Sequence, residues 1–460
     1  MKKLIQTIKN IWSIQDLKSR ILITLAFIAI YRMGAQIPLP GIDLEALSKA
    51  KELAGDSGPT GIEGLLDMFT GGAFSNVSVF MLGIMPYISA SIVIQLLGMG
   101  VPYFQKLQRE GESGRKKITQ LTRYLTIVIC FFQSIGTINM QIISSGYVQQ
   151  GLLDNSLFGL SFLPSTWFVS AMIIMITGCI FVMWLGEKIT DRGIGNGISL
   201  LIMIGIIAVL PGALGVEFGD AISGNPGSGG LIKFLLEIVI LVLVIAISIV
   251  LVQGTRRIPV QYAKRIVGNK QYGGVRQFIP LKVNAAGVMP IIFAQAVMMI
   301  PASLLSWNKE WAAWSSEISN PFGLGYNIIF FIMIVLFTYF YTAITVNPKQ
   351  MADDMKKNGG FIPGVKPGRK TSEYLDNVMS RITLPGSLFL GLVAILPAVA
   401  YATITQNATF AFFFGGTSLL IMVGVVLDTL QQIESHLLMR HYDGLMEKGK
   451  IKGKSSGNIM

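Results

Sequence analysis

The chain has 460 residues, of which 52% are hydrophobic and only 13% charged, and its mean hydropathy is +0.59. Soluble domains carry roughly 25% charged residues, so this chain cannot clothe a soluble surface. A cytosolic enzyme, a nucleic-acid-binding domain and a disordered protein are excluded, and the net charge of +12 matters by where it lies, not by its sum.

The basic N-terminus, MKKLIQTIKNIWSIQDLKSR, is followed by an apolar run without a small-residue cleavage site. That run is therefore expected to stay as a membrane span and not to leave with a signal peptide. A helix crosses roughly 30 Å of hydrocarbon with about 20 residues. Nearly charge-free runs of that length predict ten spans, at 21–37, 74–98, 123–143, 166–186, 194–214, 232–253, 285–305, 324–347, 382–400 and 408–430. The last two are split at the polar Thr403–Thr409 segment. Arg32, Arg123, Lys233 and Glu237 sit near span ends, where they are expected to snorkel to an interface.

The loops test this alternation. With the N-terminus, the even-numbered loops and the tail on one side, 32 of the 37 basic residues fall there and 5 on the other. Acidic residues divide almost evenly, 13 to 12. This is the positive-inside pattern, so both termini are expected in the cytoplasm. Ten spans divide into five and five, and an odd half inserts its second copy upside down, the arithmetic of an inverted repeat.

The span middles hold no Asp, Glu, Lys, Arg or His. Ion-coupled carriers place an ionisable group there, which lowers the standing of the rival reading, a small-solute secondary transporter. No HExxH or GxSxG motif is present. His436 and His441 are too few to hold a metal, and no cofactor is expected. The tail stretch GLMEKGK at 444–450 mimics a P-loop but continues with Ile451 where Ser or Thr is required, so no ATP site is read. Cys130 and Cys179 lie in apolar runs and make no disulfide framework. The chain is not read as an enzyme.

Four segments stand out. In GIMPYISAS, residues 83–91, Ile84 and Ile88 share a helix face, and Pro86 is expected to loosen the backbone of its span. GIEGLLDMFTGG, residues 61–72, carries apolar Ile62, Leu65, Leu66, Met68 and Phe69 but is too short to span. It reads as a short hinged helix that lies on the membrane surface or sits in a cavity. RGIGNGIS, residues 192–199, implies a tight turn or close helix packing. Two long loops are strongly basic: 254–284 carries Arg256, Arg257, Lys264 and Arg265, and 348–381 carries Lys366 and Arg369. Both exceed ordinary helix connections, read as folded docking projections, and suit an anionic partner such as ribosomal RNA, or anionic lipids.

Longer motifs then carry a resemblance. They are MGAQIPLPGID at 33–43, GGAF at 71–74, LGIMPYISASIVIQLL at 82–97, GEKITDRGIGNGIS at 186–199, TRRIPVQYAKR at 255–265, PLKVNAAGVMP at 280–290 and GGTSLLI at 415–421. In this order, from the N-terminus to about residue 440, the chain resembles the SecY/Sec61-alpha family, whose bacterial members are the channel subunit of the Sec protein translocase. The resemblance implies an all-α polytopic membrane protein, ten transmembrane helices in two inverted five-helix halves around a central pore. The halves would be 21–214 and 232–430, between a cytoplasmic segment 1–20 and a cytoplasmic tail 431–460 that reads as disordered from about residue 444. It implies a protein-conducting channel in the bacterial inner membrane, releasing hydrophobic segments laterally into the bilayer. Its aliphatic pore ring would be Ile84, Ile88, Ile202, Ile292 and Ile421, and its plug residues 61–73. Its lateral gate would include Pro86, Gln95, Pro290 and Gln295. The implied partners are SecE-like and SecG-like small subunits, the SecA motor ATPase, the ribosome, and substrates bearing signal sequences. One departure is clear. The family usually has arginine in a PG-x-R-P-G motif, whereas PGVKPGRKT here puts Lys366 in its place, keeping the charge without the bidentate fork.

Overall fold

The computed structural model describes residues 12, 14–54, 61–149, 151–152, 165–223, 230–262, 265–267, 270–272, 276–305, 320–405 and 407–447. In chain order the helices are α1 Gln15–Gly34, α2 Leu44–Ala54, α3 Gly61–Thr70, α4 Met85–Gly100, α5 Pro102–Arg109, α6 Glu112–Thr137, α7 Thr166–Arg192, α8 Gly197–Ser223, α9 Gly230–Gln253, α10 Met289–Leu305, α11 Leu324–Thr345, α12 Pro348–Lys357, α13 Arg369–Thr403, α14 Ala408–Ala411 and α15 Gly416–Glu447. The strands are β1 Thr255–Tyr262, β2 Arg265–Val267, β3 Lys270–Tyr272, β4 Arg276–Lys282 and β5 Gly360–Phe361.

Among the described residues, seven helices are long and apolar enough to cross a membrane, and eight if the pair Met85–Gly98 and Pro102–Gln108, bent by 100°, is one span. The seven coincide with expected spans three to six and eight to ten. Helix α1 covers the expected first span but carries Asp16, Lys18, Arg20 and Arg32. The expected seventh is represented by the shorter apolar helix Met289–Met298.

Several expected boundaries need correction. The second span does not begin at 74. Residues 71–84 are a succession of turns with positive φ at Gly71, Gly72, Val77 and Gly83, and the helix starts at Met85. Pro86 therefore occupies the first helical turn, where its missing N–H would have had no partner anyway, so it does not loosen the span. The tenth span is not continuous from 408, because Gly416, at φ +67°, separates a short helical turn from α15. The segment 348–381 is not a loop: it holds α12, β5 and the first turns of α13. The helix α15 reaches Glu447, and residues 448–460 of the tail lie outside the described residues.

The chain divides into two compact units, one of Met1–Ala50, Phe69–Ala208 and Val425–Met460, the other of Lys51–Met68 and Val209–Gly424. In the first, Leu39, Val77, Ile138, Trp167 and Met175 form an apolar core with Cys130 and Cys179, which remain free thiols with their sulfurs 3.1 Å apart. The Trp167 indole N–H donates to the Pro40 carbonyl at 2.8 Å. Gly178 lets α7 meet the turn segment directly, since a Cβ there would stand 2.2 Å from the Val79 oxygen. Both readings of RGIGNGIS hold together. Gly195 takes φ +81° in a tight turn, and Gly197 closes against Gly186, whose oxygen a Cβ would meet at 2.0 Å. The turn is pinned from two sides. The Ile194 N–H donates to Thr24 Oγ1 at 3.1 Å, and the Gly195 N–H to Gln432 Oε1 at 2.9 Å.

The second unit holds α9, α10, α11 and α13 together with a sheet of order β4-β1-β5. In β1 the apolar Ile258 and Val260 point inward while Arg257, Pro259 and the residues before them are exposed, the alternation of a half-buried strand.

Candidate functional site

The segment 61–73 forms the helix α3 and a glycine turn after it. Met68 and Phe69 are buried at 2% and 7% exposure, Leu65 is buried and Leu66 half-buried. Of Ile62 only the backbone is described. A peripheral amphipathic helix leaves one face to solvent or lipid. Leu65, Asp67, Met68 and Phe69 are all buried, so the cavity alternative suits this helix better than the surface one.

In the second unit Leu65 lines a cavity of about 30 Å³ together with Gln295, Asn327, Thr417 and Ser418. Gln295 is only 4% exposed. Leu65, expected in the plug, and Gln295, expected in the gate, line the same cavity. Gln95, by contrast, is half-buried and donates to Ser91 Oγ of its own helix at 3.2 Å. Pro290 lies in the first turn of α10 and is buried.

In the first unit the C-terminal end of α3 is held by Tyr31, which the sequence did not single out, and by Arg32, which was expected only to snorkel. The Tyr31 hydroxyl donates to the Thr70 carbonyl at 3.3 Å, and the Arg32 guanidinium to the Gly71 carbonyl at 2.7 Å. Gly205 of α8 approaches the same place, where a Cβ would stand 2.7 Å from the Phe69 oxygen. The available signal was Arg32 itself, because a cation placed near an apolar span demands a partner.

Arg32 thus has a partner within the protein, and so do two other residues expected to snorkel. Arg123 forms a bidentate pair with Glu187, at 2.9 and 2.6 Å. Glu237 is 1% exposed, with Lys233 Nζ 3.8 Å from one carboxylate oxygen.

Of the expected ring residues, Ile84, Ile202 and Ile421 are buried at 6%, 5% and 2% exposure, while Ile88 and Ile292 are half-buried. Ile84 precedes the first turn of α4, and Ile88 lies one turn further, its N–H bonded to the Ile84 carbonyl at 3.1 Å.

The two basic segments form one platform. Strand β1 pairs antiparallel with β4, Arg256 opposite Leu281 and Arg257 opposite Pro280, and also with β5 of the second segment. Beneath them Ile258, Val260, Leu281, Met355, Ile362, Leu375 and Met379 form a common core. Helix α12 starts at an Asn-Pro pair: the Asn347 side chain accepts from the Gln350 N–H and Pro348 supplies the first helical residue. Arg256, Arg257 and Lys366 are exposed, and Arg369, also exposed, pairs with Glu373 at 3.1 Å. Lys264 lies outside the described residues, and for Arg265 only its place at the start of β2 is described. No group of three His, Cys, Asp or Glu side chains able to hold a metal occurs among the described residues.

Comparisons with known proteins agree with this architecture. A solved structure described as that of a protein conducting channel covers 95% of this chain and 95% of its own, with a TM-score of 0.61 and 19% identity. Sec61 in the canine ribosome-channel complex from the endoplasmic reticulum covers the same share of each chain at a TM-score of 0.58 and 18% identity. At these identities they show the fold. The protein translocase subunit SecY of Chlamydia trachomatis serovar D is 39% identical over 97% of this chain and 99% of that relative. The SecY family model matches residues 78–430. A family match of that extent, joined to a relative aligned from end to end, makes this chain a member of the SecY family.

Proposed function

We propose that this chain forms a protein-conducting channel, passing unfolded polypeptides across the membrane and releasing hydrophobic segments sideways into lipid. The observation that carries the reading is the end-to-end match with a protein translocase subunit. It is supported by the helix α3, which is too short to span and whose Leu65, Met68 and Phe69 are buried.

In this reading ten spans form two inverted halves in the bacterial inner membrane, with both termini cytoplasmic. Residues 61–73 are the plug. Ile84, Ile88, Ile202, Ile292 and Ile421 form an aliphatic waist that resists water and ions yet does not bind a passing chain. Pro86, Gln95, Pro290 and Gln295 belong to the lateral gate, where signal sequences enter. The platform built by β1, β4, β5, α12 and the start of α13 docks the ribosome and the SecA motor through Arg256, Arg257, Lys264, Arg265, Lys366 and Arg369, and anionic lipids support it. SecE-like and SecG-like subunits complete the channel. The energy comes from partners or the membrane potential, and the chain itself is not an enzyme.

The test is reconstitution of the chain with its two small subunits in vesicles, with the motor, ATP and a radiolabelled precursor outside. Precursor protected from protease inside the vesicles is the expected result. Vesicles that carry small solutes but protect no precursor would overturn the reading.

A further inference from the structure

The contacts at the end of α3 form a built arrangement. The last carbonyls of a helix lack intrahelical partners and sit at the negative end of its dipole. Here two consecutive carbonyls, Thr70 and Gly71, receive donors from two consecutive residues of α1: the Tyr31 hydroxyl at 3.3 Å and the Arg32 guanidinium at 2.7 Å. Tyr31 is 3% exposed and stacks on Phe80, ring centroids 6.1 Å apart and nearly parallel. Gly71 adopts φ +66°, which suits glycine, and a Cβ on it would stand 2.5 Å from the Arg32 guanidinium. From the other side Gly205 of α8 closes on the same turn, so that a Cβ there would meet the Phe69 oxygen at 2.7 Å and the Gly71 nitrogen at 3.2 Å. One end of α3 is gripped between two helices, and the grip includes a charge-assisted bond that costs little to make and much to leave unmade beside an apolar span.

We infer that Arg32, oriented beside Tyr31, is the latch of the plug: its guanidinium holds the C-terminal carbonyls of α3 against α1, and plug release breaks that bond. This inference rests on the reading of residues 61–73 as the plug. Arg32 is a positioning residue in this account. It holds the plug and does not line the path. Gly205 provides the close seat in which the turn lies.

The test is conductance of the idle channel complex in planar bilayers, comparing Arg32→Met, Arg32→Lys, Tyr31→Phe, Gly205→Ala, deletion of residues 62–70, and the deletion combined with Arg32→Met. Arg32→Met is expected to open about tenfold more often, the scale of one charge-assisted hydrogen bond. Arg32→Lys should restore part of the seal, because it keeps a charged donor. Tyr31→Phe and Gly205→Ala, which keep the charge pattern, should leak more than the parent and serve if Arg32→Met does not assemble. Added to the deletion, Arg32→Met should change nothing. If the deletion leaks while Arg32→Met, Tyr31→Phe and Gly205→Ala stay as tight as the parent, the latch is wrong and the plug reading stands. If the deletion itself stays tight, the plug reading falls and the latch with it. A leak that Arg32→Met adds on top of the deletion also overturns the latch, since Arg32 would then act elsewhere.

Discussion

Gln261 on β1 lies in antiparallel register opposite Phe361 on β5, which ties together two basic segments separated in sequence by α10 and α11. The platform is therefore one folded body with its own apolar core, and its positive charges are displayed on a rigid support instead of on two independent loops.

That core makes the platform separately breakable. Val260 is 1% exposed in it. Val260→Asp leaves an unpaired charge there, a cost on the order of 3–5 kcal/mol. The expected outcome is new protease cleavage within 254–284 and 348–368 while α7 and α9 stay protected, read by limited proteolysis of membrane vesicles. Loss of the whole protein from the membrane would show instead that the platform and the spans fold as one.

Reversing Arg256 and Arg257 to Glu should weaken ribosome binding, most at low salt, where charges are poorly screened. Cosedimentation with ribosomes across a salt series should give a shallower dependence of log affinity on log salt, by roughly 0.7–0.9 for each phosphate that is no longer neutralised. An unchanged slope and affinity would remove these residues from the docking surface.

Deleting residues 62–70 should leave a protein that inserts and folds, because the segment is too short to be a structural span. Size-exclusion behaviour of the purified complex should match the parent while idle vesicles lose an ion gradient faster. Failure to accumulate in the membrane would mark α3 as structural.

Arg123→Leu leaves Glu187, whose side chain is 18% exposed, without its bidentate partner. Because the Arg123 side chain is 45% exposed, removing it should cost only on the order of 1 kcal/mol, and Arg123→Leu with Glu187→Leu should recover part of it. Thermal unfolding in detergent should order the three proteins as parent, double variant, single variant. Equal midpoints for the parent and the single variant would show that the pair contributes nothing.

If Ile421 belongs to the proposed aliphatic waist, Ile421→Asn should weaken the closed state by about 1–3 kcal/mol by placing a polar group in an apolar constriction, so that a reporter with a crippled signal sequence is exported better. Leu420 is 0% exposed and lies about 100° around the helix from Ile421. Leu420→Asn should lower the amount of protein without improving export. Alike behaviour of the two would break the assignment of Ile421.

What the sequence revealed followed from physics that acts locally. Unbroken apolar runs announce helices such as α9 because hydrocarbon tolerates little else, and clustered arginines and lysines announce a platform. The missed features depend on contacts between distant segments. Nothing local to Arg32 says that its partner is the Gly71 carbonyl, and nothing near Phe361 says that it extends a sheet begun at Gln261. The start of α4 was misplaced because residues 74–84 are as apolar as a helix, yet the glycines at 71, 72 and 83 take up the positive φ values that turn the chain. Hydropathy reports where a segment resides and carries no record of its backbone dihedrals.

Helix α13 runs without interruption from Arg369 in the platform to Thr403, 35 residues, or about 52 Å at 1.5 Å per residue. A rod of that length is a lever. Its outer turns, Leu375 and Met379, are embedded in the core under the sheet, and its remainder is long and apolar enough to cross a membrane. Displacing the platform must therefore displace the start of this helix with it. Pro385 and Pro397, inside the rod, lack an N–H, so the carbonyls of Arg381 and Val393 lose their usual helical donors without the helix ending.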